Sequence, residues 1–261
     1  MPETAETSPM YPRYRYGQIL PANSAVRYGP GYQIYRIVPQ DVIEITTVLG
    51  ISDYTKEGVD AAIGNFFTCV DLLAREEVGR MVLAGVPISA QLGRDRTRDL
   101  LAKAEERTGI PCDAPLEAVV AALGHLGVSR VVIGSRWAAE LNAAVAGYLT
   151  EAGFQVVGST GRGQWAREAF GMSLSTGMAA ALEVGREAAT LGADSAEAIF
   201  VPGGAALSLH VIPALEAETG KPVLTNMNAE VWYGLVRTGV VPPVTGYGVL
   251  LAGHNTREGS E

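Results

Sequence analysis

Two stretches of this 261-residue chain repeat one another, and that repeat constrains the fold more than any single residue does. The first runs Thr108-Gly109-Ile110-Pro111, continues through Glu117 to Leu123 and closes at Leu126-Gly127-Val128. The second runs Thr219-Gly220-Lys221-Pro222, continues through Ala229 to Trp232 and closes at Thr238-Gly239-Val240. Each follows a helix-like run, Leu100 to Arg107 and Leu209 to Glu218. Ahead of each run stands a short apolar strand ending in glycine, Met81 to Gly85 and Ala198 to Gly204. A duplicated strand-loop-helix-strand-helix unit implies two similar α/β lobes. Ligands are then received where the strand ends of the two lobes face each other.

Apolar, β-branched runs predict strands at Tyr16 to Leu20, Val42 to Leu49, Met81 to Ala84, Val128 to Ile133, Phe154 to Val157, Ala198 to Val201 and Pro222 to Leu224. Apolar residues at helical spacing predict helices over Val59 to Glu76, Arg96 to Thr108, Leu116 to Leu126, Ala138 to Ala152, Met178 to Leu191, Ala205 to Glu218 and Asn228 to Arg237. Alternation of the two is the pattern of a parallel sheet wrapped by helices. The expected fold is α/β, with two pseudo-symmetric doubly wound (Rossmann-like) lobes, mainly parallel four-stranded sheets and an interlobe cleft. Residues 1–12 read as a flexible tail, 13–130 as the first lobe, 131–240 as the second, and 241–261 as a crossing segment and carboxy-terminal tail.

A net charge of −8 argues against a nucleic-acid surface, which needs clustered Lys and Arg. No run of about 18 apolar residues predicts a membrane span, and no signal core opens the chain, so a cytoplasmic protein is expected. Two cysteines, Cys69 and Cys112, give neither a disulfide framework nor a metal spacing. No metal and no cofactor are expected, because His-x-x-x-His, Cys-x-x-Cys and dense acidic clusters are missing. Gly161-Arg162-Gly163-Gln164-Trp165-Ala166 matches a dinucleotide turn, but no second strand ending in an acidic residue follows about 20 positions on, because that region reads as helix. A glycine-rich connection is the better reading.

Pro202-Gly203-Gly204-Ala205 ends a buried strand and is expected to open a helix, so its backbone N–H groups can point at an anion. A tight turn that needs a flexible φ explains the same residues equally well. His210, with apolar helical neighbours, reads more readily as a packing residue than as a base.

The chain also resembles the aspartate/glutamate racemase superfamily, in the branch that holds maleate cis-trans isomerase and arylmalonate decarboxylase. The resemblance spans roughly Tyr16 to Leu251. It is carried by Gly17-Gln18-Ile19-Leu20-Pro21-Ala22-Asn23-Ser24, by Val82-Leu83-Ala84-Gly85 with Ser89, and by Val132-Ile133-Gly134-Ser135-Arg136-Trp137 leading to Glu140-Leu141-Asn142. Gly153-Phe154-Gln155-Val156-Val157, Gly203-Gly204 and Pro222-Val223-Leu224-Thr225-Asn226 complete it. In that family two positions, one per lobe, face each other across the substrate, and one or both are cysteines. Here they fall on Gly85 and Gly203. Val86 and Pro87 replace the hydroxyl residues after the first position, Trp137 replaces a tyrosine, and Asp113-Ala114 replaces a Thr-Thr pair.

The resemblance implies a homo-oligomer, dimer or tetramer, acting on a small carboxylate or carbonyl compound without a cysteine. The expected chemistry is of the lyase or isomerase kind, decarboxylation above all. Asp113, Arg136 and Trp137 are the expected catalytic residues, and Asn23, Ser24, Gly85, Ser89, Gly203, Gly204 and Asn226 are expected to bind substrate. Arg136 suits a carboxylate clamp and Asp113 a base. Against this, Asp113 as a helix cap and Arg136 as a surface residue explain the sequence equally well. A non-catalytic binding or regulatory protein that kept the cleft is the rival function. Convergence of Asp113, Arg136 and His210 would favour the enzyme.

Overall fold

The computed structural model describes residues 11–22, 30–165, 168, 171–203 and 207–253. Its eight strands are all parallel and form two sheets of four. The first contains β1 (Tyr14–Leu20), β2 (Val42–Val48), β3 (Arg80–Leu83) and β4 (Cys112–Asp113), in the order β2-β1-β3-β4. The second contains β5 (Arg130–Gly134), β6 (Gln155–Thr160), β7 (Ala198–Phe200) and β8 (Val223–Leu224), in the order β6-β5-β7-β8. The two orders are the same path taken twice, so the expected pair of doubly wound lobes is what the chain forms. In each sheet the order reverses at the first strand, and the crevice there opens at the carboxyl ends of the strands.

Parallel neighbours require crossovers, and helices supply them. These are α1 (Pro30–Ile34), α2 (Lys56–Ala62), α3 (Phe66–Arg75), α4 (Val86–Leu92), α5 (Arg94–Thr108), α6 (Pro115–His125), α7 (Ala139–Glu151), α8 (Leu174–Leu191), α9 (Val211–Thr219) and α10 (Asn226–Val231). The last continues into one π turn, Trp232–Val236.

The repeat seen in the sequence is repeated atom for atom. Gly109 and Gly220 end α5 and α9 in the left-handed region, at φ 71° and 66°. Thr108 Oγ1 donates to the Ala104 carbonyl and accepts from Ile110 N; Thr219 Oγ1 does the same with Leu215 and Lys221. The following proline carbonyls, at 111 and 222, then accept from Met81 N and Ile199 N, which sets the register of β3 against β4 and of β7 against β8. Proline serves here because its carbonyl joins the ladder while its missing N–H falls outside it.

Three expectations are corrected. β4 has two residues and no apolar run, so periodicity did not reveal it. The helix expected over Val59 to Glu76 is broken into α2 and α3 by a 3-10 turn at Ile63–Asn65. The helix expected from Ala205 begins only at Val211, because Leu207 holds a φ of 53° and Leu209-His210 form a turn. A left-handed leucine cannot sit inside a right-handed helix.

The lobes interlock. α4 packs on α7 and α6 on α10, while the segment 226–236 returns to the first sheet. There Gly234 lies so close to the Tyr16 ring and the Arg80 side chain that a Cβ would stand 3.0 Å from the Tyr16 hydroxyl. Arg13 reaches the Val240 carbonyl at 2.9 Å, and Gln33 Oε1 accepts from Leu209 N at 3.1 Å.

The matched left-handed caps make a matched prediction. Neither Gly109 nor Gly220 has an atom within 4 Å of a would-be Cβ. Replacing either by alanine therefore adds only the backbone term, about 1–2 kcal/mol. Urea denaturation should return the same loss for both single variants.

Candidate active site

Loops at the carboxyl ends of the strands gather the site. Pro21 follows β1, Tyr54 lies beyond β2, Gly85 follows β3, Arg136 and Trp137 follow β5, Gly203 follows β7 and Asn226 follows β8. Contacts tie these loops together. A Cβ on Gly85 would lie 2.8 Å from Pro21, and one on Gly203 would lie 4.0 Å from the Trp137 ring. Tyr54 of the first lobe stands beside Arg136 of the second, near enough for its hydroxyl to influence the guanidinium.

Arg136 is the exceptional group. It is 4% exposed, yet among the described residues no carboxylate lies within ion-pair distance of it. Its polar partner is the Met172 sulfur, 2.9 Å from Nη1. Burial pushes its pKa below the usual arginine value. A buried guanidinium without a counter-charge costs several kcal/mol, and a carboxylate seated against it returns much of that.

The glycine-rich segment explains how such a cation is held. Gln164 N donates to the Arg136 carbonyl at 3.0 Å, Gly163 N to the Trp137 carbonyl at 3.2 Å, and Ala138 N to the Gln164 carbonyl at 3.1 Å. Gln164 and Trp137 form a parallel bridge. Ser135 Oγ donates to Asn142 Oδ1 at 2.6 Å and accepts from Trp137 N at 2.9 Å. Arg162 is bound on both nitrogens by Glu187. The stretch that mimics a dinucleotide turn is thus a strap that fixes Arg136 and Trp137.

Gly85 and Gly203 both occupy positive φ, at 102° and 120°. The Gly203 N–H is not free to meet an anion as expected: it donates to Asn226 Oδ1 at 3.1 Å. Residues 204–206 lie outside the described residues, and α9 starts only at Val211. Ser89 is completely covered within α4, and its Oγ has no hydrogen-bond partner. Asn23, Ser24 and Gly204 lie outside the described residues. Cys69 and Cys112 are both free, buried and displaced from Gly85 and Gly203, and burial pushes both thiols up.

The convergence of Asp113, Arg136 and His210 that would favour the enzyme is not found. Asp113 Oδ2 is bound by Arg80 Nη1 at 2.5 Å, His210 Nε2 by the Met178 carbonyl at 3.0 Å, and no hydrogen bond or ion pair joins either residue to Arg136. Nor does Asp113 cap α6, whose N-cap is Ala114. Instead Asp113 belongs to a polar layer between the first sheet and the returning segment 226–236. Tyr16 pairs in register with Glu44 on one side and Arg80 on the other. Glu230 covers them from α10, buried at 4% exposure, and Asn226 Nδ2 donates to its Oε1 at 3.1 Å. Burial pushes Glu230 up to about 8 and Glu44 to about 7. Sequence reasoning passed over Glu230. Its one signal was an acid four residues after Asn226, on the same helix face, in an otherwise apolar run.

The fold defines a class: two-lobed α/β proteins with two four-stranded parallel sheets and loops from both halves brought together at their strand ends. Within it the chain belongs to the arylmalonate decarboxylase family, whose sequence profile matches residues 20–251. Arylmalonate decarboxylase of Bordetella bronchiseptica is 27% identical over 216 residues, covering 83% of this chain and 87% of that protein. A liganded arylmalonate decarboxylase carrying one glycine-to-cysteine and one cysteine-to-serine substitution superposes with a TM-score of 0.80 at 26% identity, over 91% of this chain and 98% of that one. A Nocardia farcinica maleate cis-trans isomerase variant with a covalently bound succinylcysteine intermediate shares the fold, with a TM-score of 0.78 at 21% identity over 93% and 99% of the two chains.

Two predictions follow from the geometry. Between about pH 4.5 and 8 folded Glu230 keeps a proton that the unfolded chain has released. Stability is therefore fullest below that window and falls as pH rises through it, by about 1.4 kcal/mol per unit for one such group. Glu44 adds a similar slope up to about pH 7. Denaturant titrations at several pH values should show the decline, with Glu230→Gln flattening its upper part. The second concerns the two glycines. Gly85→Cys drives a Cβ into Pro21, whereas Gly203→Cys meets, among the described residues, only the Trp137 ring at 4.0 Å and carries chiefly backbone strain, about 1–3 kcal/mol. Thermal unfolding should rank Gly85→Cys clearly the less stable of the two.

Proposed function

We propose that this chain is a decarboxylase-type enzyme for a small malonate-like carboxylate, working without cysteine in the interlobe cleft, with Arg136 as its carboxylate clamp. The single observation that carries the reading is the buried guanidinium of Arg136 with no acidic partner among the described residues. Arylmalonate decarboxylases among the relatives supply the substrate class.

The chemistry needs little beyond placement. One carboxylate of the substrate lies against Arg136. The bond from the α-carbon to the other carboxylate breaks, CO2 leaves, and the electron pair passes onto the α-carbon and the retained carboxylate. Charge on that carboxylate grows in the transition state, which is where a fixed buried cation acts most strongly. Trp137 and Tyr54, both buried next to Arg136, would give a bound substrate apolar surroundings that disfavour its charged ground state. The α-carbon then takes a proton from water. No protein donor is assigned, because Asp113 is tied to Arg80, His210 to the Met178 carbonyl, and both thiols are neutral.

That same shortage of acid–base side chains favours a second reading, a protein that binds carboxylates without turning them over.

The test is incubation of aryl- and alkylmalonates with the protein in D2O, followed by NMR. The enzyme reading expects a monoacid carrying deuterium at the α-carbon, with turnover reduced about 10²–10³-fold in Arg136→Met. A ligand that binds in calorimetry and stays intact selects the second reading. Arg136→Met binding as tightly as the wild type would remove the clamp from both.

A further inference from the structure

We propose that Glu230 is a positioning residue for the site: from the layer between the lobes it sets the Asn226 side chain, and through Asn226 the backbone of Gly203. This rests on the reading of Gly203 and Arg136 as one site, and it adds a residue that reading does not use.

A continuous path of contacts supports it. Gly203 N donates to Asn226 Oδ1 at 3.1 Å, and Asn226 Nδ2 donates to Glu230 Oε1 at 3.1 Å. The amide of Asn226 is thereby oriented from both ends. An asparagine whose nitrogen faces a carboxyl must present its oxygen the other way, toward Gly203. Asn226 is 5% and Glu230 4% exposed, so water does not compete at either link. Gln18 of β1 lies against the same carboxyl. It is fully buried, and neither its Oε1 nor its Nε2 completes a hydrogen bond of good geometry. A proton on the Glu230 carboxyl can be given to Gln18 Oε1, which joins β1 of the first lobe to α10. Loss of that proton places an anion beside the Gln18 oxygen and tightens its hold on the Asn226 amide.

Other groups around the carboxyl are accounted for. Tyr16 on β1, Glu44 on β2, Arg80 on β3 and Asp113 on β4 face it from the first sheet. On its own segment Arg237 lies over the Trp232 and Tyr233 rings. From α6, Glu117 is taken by Arg94 and Tyr148, and His125 stacks on Trp232. From the turn after α1, the Tyr35 hydroxyl accepts from the Glu44 amide N–H, and the Arg36 carbonyl accepts from the Tyr247 hydroxyl. Burial, with Glu44 as the nearby like charge, holds Glu230 neutral up to about pH 8.

The test is the amide cross-peak of Gly203 in the 15N-labelled full-length chain, followed from pH 6 to 9.5. In the wild type it should shift in one step centred near pH 8. Glu230→Gln should hold it at its low-pH position throughout, and Glu44→Gln should leave the step in place. Asn226→Ala should remove the step and move the peak as the hydrogen bond is lost. That variant also carries the test should Glu230→Gln not fold. A Gly203 peak that ignores pH in the wild type, or a step that survives Glu230→Gln or Asn226→Ala, overturns the proposal. Calorimetry with phenylmalonate separates the two readings. Absence of binding by the wild type with the step intact removes the carboxylate site alone. Binding with no step removes the role of Glu230 alone.

Discussion

A parallel sheet must be covered on both faces, since crossover helices leave its strands buried on either side. Each lobe here has four strands, several of them only two to four residues long, and does not supply all of that cover itself. The segment 226–236, which follows the last strand of the second sheet, lies on the first, with Gly234 against Tyr16 and Arg80. Much else follows from this exchange of cover. It brings α6 onto α10, covers Tyr16 and Gln18 of β1 and lies against Arg80 of β3, and anchors the loop holding Gly203 to a helix that touches the other lobe.

Two buried places divide the charges between them. Glu44, Asp113 and Glu230 gather under the returning helix, with Arg80 as their paired cation. On the other side Arg136 stands with sulfur and aromatic neighbours. Carboxyls that cannot reach solvent tend to keep their protons, whereas a buried guanidinium keeps its charge at any ordinary pH. Arg136 therefore keeps a fixed positive charge, while the layer under the returning helix is close to neutral.

Much of the fold was legible because it rests on patterns that sequence records directly. The Thr-Gly-x-Pro repeats announced two equivalent lobes, and each became a left-handed cap with a proline carbonyl entering the sheet. β4 was hidden because two residues have no periodicity, and α9 starts late because Leu207 takes a conformation that leucine rarely signals. In the site, Arg136 was legible as a cation beside Trp137 at the end of a buried strand. That Asp113 belongs elsewhere was not, because its partner Arg80 comes from 33 residues away and reads locally as the polar start of a strand. Glu230 escaped for a similar reason. An acid in a short apolar helix looks like a solvent-facing residue until the other lobe is laid over it.

The two glycines that mark equivalent places in the lobes are not equivalent in space. Pro21 closes the ground above Gly85, while at Gly203 the nearest atom to a new Cβ is the edge of Trp137. A duplicated scaffold has thus become handed at its centre. A side chain added at one of these two turns finds more room in the second lobe than in the first, so the pseudo-twofold likeness of the lobes ends where their loops meet.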